Sequence, residues 1–432
     1  MVHGGALLDL PGGALAGEVL RPGLRRALRS SARLVFGERA SAPHTVLDAR
    51  PIGHVASAVV RNRRATLGFL AAASLSVLVS REARAGDMDP TPERLINQPA
   101  GLPAGQTCQS IAADPGAAVS AGLRPQDFPC RPNNLAFANM ISELGFAIAP
   151  TAFHPARTTG IGGFQVSIEA SYTGIHADRS VASSNGGRMQ YWHLGTRGPQ
   201  DPNTKQASIV NSSPDSLLQV YALKARKGLP LGFEIAGSLG YVSNTTLWVG
   251  GGDVRWSMLE GFRTGALGFL PDVSVGGGIR TVTGTSRFYL TTLGIDARIS
   301  KPITLQDSSQ LIPSLGFQRL IIFGDSNVVD GTPNVDAVAQ CGFGGLDATT
   351  GAPTCRNKLP NGADANADFA NNFTFDKVRV HRNRGMVALN YRYEMIWLGS
   401  QVAFDISDPK DENPGIVGKR QWTLSFEGGV HF

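Results

Sequence analysis

From Phe164 onward the chain alternates apolar and polar residues with a period of two, the mark of a strand whose two faces meet different surroundings. In residues 164–174, Phe164, Val166, Ile168, Ala170 and Tyr172 share one face, and Gln165, Ser167, Glu169, Ser171 and Thr173 share the other. Residues 231–242 repeat the pattern, with Leu231, Phe233, Ile235, Leu239 and Tyr241 set against Gly232, Glu234, Ser238 and Gly240. Similar alternation marks 217–226, 246–258, 266–281, 287–299, 309–322, 385–394, 397–407 and 421–432. Such segments are about ten residues long, enough to cross an apolar layer when tilted. Strands of soluble sandwiches are typically about five or six. Lys227-Gly228-Leu229-Pro230 and Ser300-Lys301-Pro302 read as short turns, whereas the connections 176–215 and 324–373 are long. Short turns at one end and long loops at the other predict an all-β fold. It is an antiparallel up-and-down transmembrane β-barrel over 161–432, of about ten strands, with eight to twelve admissible. Residues 373–395 fit one strand or two.

Ahead of the barrel, residues 86–160 are rich in Pro and Gly and read as an irregular periplasmic segment. Within it, Asn133 or Asn134 is suited to cap a short helix near 134–144, to which Leu135, Ile141 and Leu144 give a partial apolar face. Pro150 and Pro155 then keep the chain extended or turning. Residues 61–85 have the order of a secretory signal peptide. Arg61, Arg63 and Arg64 precede an apolar run from Ala65 to Val79, and Ala83-Arg84-Ala85 supplies a cleavage site, so the mature chain is expected to start at Gly86. Residues 1–60 are expected to be either an extended leader or upstream sequence translated ahead of a true start near Val59 or Val60.

Composition sharpens this picture. Glycine accounts for 52 of 432 residues, charged residues for 17%, and the mean hydropathy is −0.06. A soluble domain usually carries about 25% charged residues. No apolar stretch outside the leader is long enough to span as a helix. The formal charge of +6 belongs to the leader. Of the 40 basic and 34 acidic residues, 12 and 5 lie in the first 85, leaving 28 and 29 in the remainder. A nucleic-acid partner therefore has no electrostatic support. Aromatic residues are 7%, and no double girdle of Tyr and Trp is evident along the sequence.

The last twelve residues carry the most specific signal. Trp422, Leu424, Phe426, Gly428, Val430 and Phe432 alternate with Gln421, Thr423, Ser425, Glu427, Gly429 and His431. An amphipathic strand ending on Phe432 resembles the closing strand of bacterial outer-membrane β-barrel proteins. That resemblance implies that Trp422, Leu424, Phe426, Val430 and Phe432 meet lipid, and that the barrel-assembly machinery reads this strand. It further implies localisation in the outer membrane of a Gram-negative bacterium, after cleavage near Ala85. The helix near 134–144 and the Pro-rich chain behind it resemble, in architecture alone, the N-terminal hatch of fatty-acid and hydrocarbon transport barrels.

If the apolar face meets lipid, Glu169, Glu234, Arg255, Asp296, Arg298, Arg392, Glu394 and Glu427 face the lumen. Both signs occur, so no ion preference follows. Those charges either line a path or pair and fill a narrow interior. In an oxidising compartment Cys108 with Cys130 and Cys341 with Cys355 are the natural local disulfides. No C-x-x-C and no nearby His set points to zinc, and Asp364-Ala365-Asn366-Ala367-Asp368 departs from a Ca²⁺ loop at Phe369, so no metal or cofactor is expected. Ser184-Asn185-Gly186 resembles part of the H-x-S-N-G stretch of outer-membrane phospholipases, but the position of the general base is Ala182, and the nearest preceding His is His176. A serine without a placed base is not activated, so an enzyme is not expected. The functions left open are a channel or transporter of unspecified substrate, and a filled barrel that binds or supports through its long loops.

Overall fold

The computed structural model describes residues 88–97, 131–151, 154–183, 187–198, 210–261, 268–306, 308–330, 343–346, 348–349, 353–355 and 372–432. Ten long strands form the wall: β1 (Phe164–Gly174), β2 (Leu217–Gly228), β3 (Phe233–Val242), β4 (Trp248–Leu259), β5 (Asp272–Thr283), β6 (Phe288–Ser300), β7 (Ser309–Ser326), β8 (Val378–Tyr393), β9 (Ile396–Asp405) and β10 (Trp422–His431). Each pairs antiparallel with the next in sequence, and β10 pairs with β1 from Thr423↔Thr173 to His431↔Gln165. The ring is therefore complete and no long strand leaves an unpaired edge, as a lipid environment requires. Residues 373–395 supply one strand, β8.

Burial is inverted relative to a soluble protein. Ile168, Leu223, Leu239, Val254, Ile279, Ile295, Leu315, Val387 and Phe426 stand exposed on the outer face, while Glu169, Lys224, Arg226, Asp296, Arg384 and Glu427 are buried inside. In water such an outer belt would be an apolar patch far larger than monomers display. Against lipid it is the favourable surface, and the chain is a transmembrane β-barrel of the outer-membrane class.

The register also assembles the girdles that the sequence hid. At the long-loop end Tyr221 pairs with Tyr241, Tyr241 with Trp248, and Phe404 with Trp422. At the short-turn end Phe233 stacks on Trp256 with ring centroids 5.9 Å apart, near exposed Phe164, Tyr393 and Phe432. The expectation of no double girdle is corrected. A modest aromatic content suffices when strand ends place it in two bands, and only the strand pairing brings those residues level.

Inside, the inward positions change character along β2 and β6. On β6 they run Phe288, Leu290, Thr292, then Asp296, Arg298, Ser300; on β2 they run Leu218, Val220, then Lys224, Arg226. On β2 and β6 the lumen wall is thus apolar toward the loop end and charged toward the short turn, whereas on β8 and β9 the buried charges Arg382, Arg384 and Asp405 stand toward the loop end. The apolar half packs on helix α1 (Asn134–Ile148), which lies within the barrel. Asn133 caps it, its side chain accepting from the Ala136 amide at 3.0 Å. The helix runs past 144 to Ile148 and is buried on nearly every side rather than along one stripe, because wall surrounds it; Leu135 is the exposed exception.

Of the segment 86–160, expected to be irregular and periplasmic, the described residues lie at the long-loop end and inside the barrel. Residues 88–97 pack against the long-loop end, where the Met88 amide donates to the Asn244 carbonyl at 3.0 Å and the Thr91 amide to that of Gly195 at 2.7 Å. After α1, residues 149–151 and 154–163 lie in the lumen on the way to Phe164 at the short-turn end. The physical reason lies in the apolar half-lumen, which ten strands enclose but their own side chains do not fill.

Candidate functional site: the filled lumen

The described residues 149–151 and 154–163 belong to no strand, so their carbonyls need donors from elsewhere. The wall supplies them. The Arg384 guanidinium donates to the Pro150 carbonyl at 2.8 Å, Arg255 to that of Pro155 at 3.3 Å, and the Ser257 hydroxyl to that of Ala156 at 2.8 Å. The Ala156 amide in turn donates to Ser300 Oγ at 3.0 Å. Arg384 also donates to Gln318 Oε1 at 2.9 Å, and its guanidinium lies 5.0 Å from the centre of the Phe146 ring, above which Arg382 sits at 4.3 Å. Arg382 pairs with buried Asp405.

The charged half-lumen is a set of pairs. Glu169 accepts from Thr151 Oγ1 at 2.8 Å and Ser171 Oγ at 2.7 Å and pairs with Lys224. Glu234 lies 3.3 Å from Arg226 and 3.7 Å from Arg255, and accepts from the Thr159 amide at 2.9 Å. Arg298 meets Asp296 at 2.8 Å, and Arg280 meets Asp253 at 2.6 Å. Gln165 donates to Glu427 at 3.2 Å. The His154 side chain is buried among these charges. Its Nδ1 lies 3.8 Å from Glu427, beyond hydrogen-bond reach.

Of the lumen residues expected from alternation, Glu169, Glu234, Arg255, Asp296, Arg298 and Glu427 are buried inside, and Arg392 lies at the short-turn mouth. Glu394 is a correction. It occupies the turn between β8 and β9 with φ +48° and is exposed, because the hairpin reverses there and ends the alternation one residue earlier. Trp422, Phe426 and Phe432 are exposed on the outer face, with Leu424 and Val430 half-buried beside them. Lys224, Arg226, Arg280, Arg382, Arg384 and Asp405 were not anticipated. Lys224 and Arg226 stand in phase with the inward face of β2, so extending the face assignment to that strand would have found them. Arg382 and Arg384 sit where the strand count was ambiguous.

At the loop end, Glu143 of α1 ties the helix to the long connection after β1. It accepts from the His176 amide at 2.9 Å, Tyr191 Oη at 2.8 Å and Trp192 Nε1 at 2.9 Å, with His176 Nδ1 at 3.2 Å. Burial alone would raise this carboxyl, yet the His176 hydrogen bonds hold it below the ordinary carboxylate value. His176 is thus engaged with Glu143, while Ser184, Asn185 and Gly186 lie outside the described residues. So do Cys108, Cys130, Cys341 and 364–368; Cys355 is described only by the backbone pairing Phe343↔Cys355. Among the described residues no group of three or more His, Cys, Asp or Glu is placed to hold a metal ion.

No family model and no curated protein matches the chain. Among solved structures it is similar to Ail of Yersinia pestis, at 8% identity over 63% of this chain and 100% of that one, with a TM-score of 0.20. An outer-membrane channel of Pseudomonas putida F1 matches at 10% identity, over 66% and 99% of the two chains, with a TM-score of 0.26. OprG of Pseudomonas aeruginosa matches at 10%, over 65% and 99%, with a TM-score of 0.22. What makes this chain a membrane barrel is its own closed register and apolar outer belt.

Proposed function

We propose that the protein is an outer-membrane transport barrel that is shut at rest by its own N-terminal insert. One observation carries this reading: α1 and residues 149–151 and 154–163 occupy the lumen between the wall side chains, held there by hydrogen bonds from the wall. An eight-stranded wall is about full with its own side chains, and ten strands leave room for more. A barrel that needed only to be filled could be filled by larger wall side chains, without a separate segment. Displacing the insert would open a lumen whose short-turn half is lined by charge of both signs. The setting is the outer membrane, with lipid on the outer belt and assembly through the C-terminal strand by the barrel-assembly machinery. No enzymatic role is proposed.

The test is conductance in a planar bilayer. The wild-type protein should be silent or open only briefly, and Arg384→Ala, which frees the Pro150 carbonyl, should open in discrete steps at least tenfold more often. The tightly paired charges favour a second reading, a permanently filled barrel whose role lies at its long loops. Silence of both proteins, with both folded, would establish that reading instead.

A further inference from the structure

A cavity of about 290 Å³ opens at the short-turn mouth. Its position follows from strand ends. Gln165 is the second residue of β1, Gln310 the second of β7 and Trp397 the second of β9, while Arg392 and His431 are the penultimate and last residues of β8 and β10. The insert closes its inner side with Pro155 and Arg157 to Gly160. The cavity therefore faces the compartment on the short-turn side and has the insert as a wall.

Its chemistry is one-sided. Trp397 is buried, yet its indole Nε1 has no hydrogen-bond partner; nor do Nε of buried Arg226 and Nε2 of His431. The indole N–H and the guanidinium Nε–H can only donate. A buried donor left unmade costs about 1–3 kcal/mol, and both side chains belong to this lining, so an acceptor that they turned to meet in the cavity would recover that cost. Arg157, Arg226 and Arg392 also line it, with Arg226 paired behind it with Glu234, and the one carboxylate of the described lining is Glu260. That carboxylate is already taken up by the Thr158 amide and hydroxyl and by Arg157 at 3.7 Å. Arg392 donates to the Glu394 carbonyl at 3.3 Å, and no described carboxylate lies within ion-pair distance of it. Pro155, Ile312 and the Trp397 ring give the lining an apolar part, beside the uncharged polar side chains of Thr158, Thr159, Gln165 and Gln310. The volume sits at the lower edge of the range for small-molecule sites, roughly 300 Å³ upward.

We propose that this mouth cavity binds a small organic carboxylate, its oxygens facing the Trp397 indole and the Arg226 and Arg392 guanidiniums, and its apolar body on Ile312 and Pro155. Binding here does not depend on whether the barrel conducts, because the site is complete with the insert in place.

The experiment is calorimetric titration of the full-length mature protein in detergent micelles with benzoate, its neutral isostere benzamide, and inorganic phosphate. Benzoate should saturate one site at least tenfold more tightly than benzamide, and phosphate should compete weakly. Arg392→Gln and Trp397→Phe should each weaken benzoate at least fivefold while keeping the heat-dependent gel shift of a closed barrel. Benzoate binding no tighter than benzamide, or unchanged in both variants, would overturn the proposal. So would phosphate binding as tightly as benzoate, which would mark a bare anion site with no selection for an organic body. Because the titration reads no current, failure of the transport reading and failure of this site are separately visible.

Discussion

Gly145 of α1 lies so close to Ile322 of β7 that a Cβ on the glycine would sit 2.5 Å from the isoleucine Cγ2. In an ordinary helix, Gly to Ala gains about 1 kcal/mol from propensity. Here the neighbour is a β-branched side chain with no exposure, stiff at χ1 and enclosed by the apolar half-lumen. Contact should therefore win over propensity.

Gly145→Ala is expected to lower the temperature at which the folded band converts on gels, with an overpacking cost of about 1–3 kcal/mol. The double variant Gly145→Ala with Ile322→Ala should recover part of the loss, since it removes the obstructing methyl. If Gly145→Ala instead raises the transition temperature, α1 does not pack against β7 in the membrane.

Glu143 gives a prediction in pH. Its folded value lies below the ordinary carboxylate value, so the carboxylate contributes stability that is fully present above the unfolded value near 4.5 and is lost as pH falls through the folded one. The contacts of α1 with Tyr191, Trp192 and His176 should thus survive at pH 4.5 and loosen only below it. Glu143→Ala should leave buried donors without an acceptor, at about 1–3 kcal/mol each, and expose residues 175–183 to protease at neutral pH. Protease access of the wild type that rises already between pH 6 and 5 would contradict this assignment.

The wall was legible because a barrel writes itself into a period of two. In β1, Ile168 and Glu169 belong to opposite environments, and the chain says so locally. The lumen was less legible, for a physical reason visible in β6. Its inward residues pass from Leu290 to Asp296, so the inward face is apolar at one end and charged at the other, and alternation blurs where α1 sits. Nothing local marks α1 as surrounded, since its neighbours Leu320, Ile322 and Val380 come from strands far along the chain. Arg384 escaped notice likewise. Its partner is a backbone carbonyl, that of Pro150, and no sequence pattern announces such a partner.

Cysteine pairing is a prediction made from the sequence. An exported chain should carry Cys108–Cys130 and Cys341–Cys355 as disulfides. Non-reducing peptide mapping of the mature protein should find both, with the mature N-terminus at or near Gly86. Four free thiols would refute the pairing, and a mature chain that keeps residues 1–60 would refute the cleavage.

The closing strand allows a test that separates a membrane barrel from any soluble protein with the same register. Phe426 and Trp422 are both exposed on the outer face of β10, at 47% each. Phe426 lies at mid-strand, edge-on to Tyr172 with centroids 6.5 Å apart, and Trp422 lies at the loop-end girdle beside Phe404. The cost of an arginine on a lipid-facing strand depends on depth, about 2–4 kcal/mol at the midplane and about 0–1 near the interface. Phe426→Arg should therefore impair assembly strongly, measured as the fraction of protein that fractionates with outer membranes and shows the heat-dependent gel shift. Trp422→Arg should impair it several-fold less, although it removes the larger side chain. Inside the lumen the expectation differs. Ser425 has no exposure and its hydroxyl lies 2.8 Å from that of Ser171, so Ser425→Arg must displace packed wall and insert and should fail at any depth. A water-facing strand gives no reason for position 426 to be costlier than 422. Equal impairment by the two outer substitutions, or none by either, would mean that this face does not meet lipid.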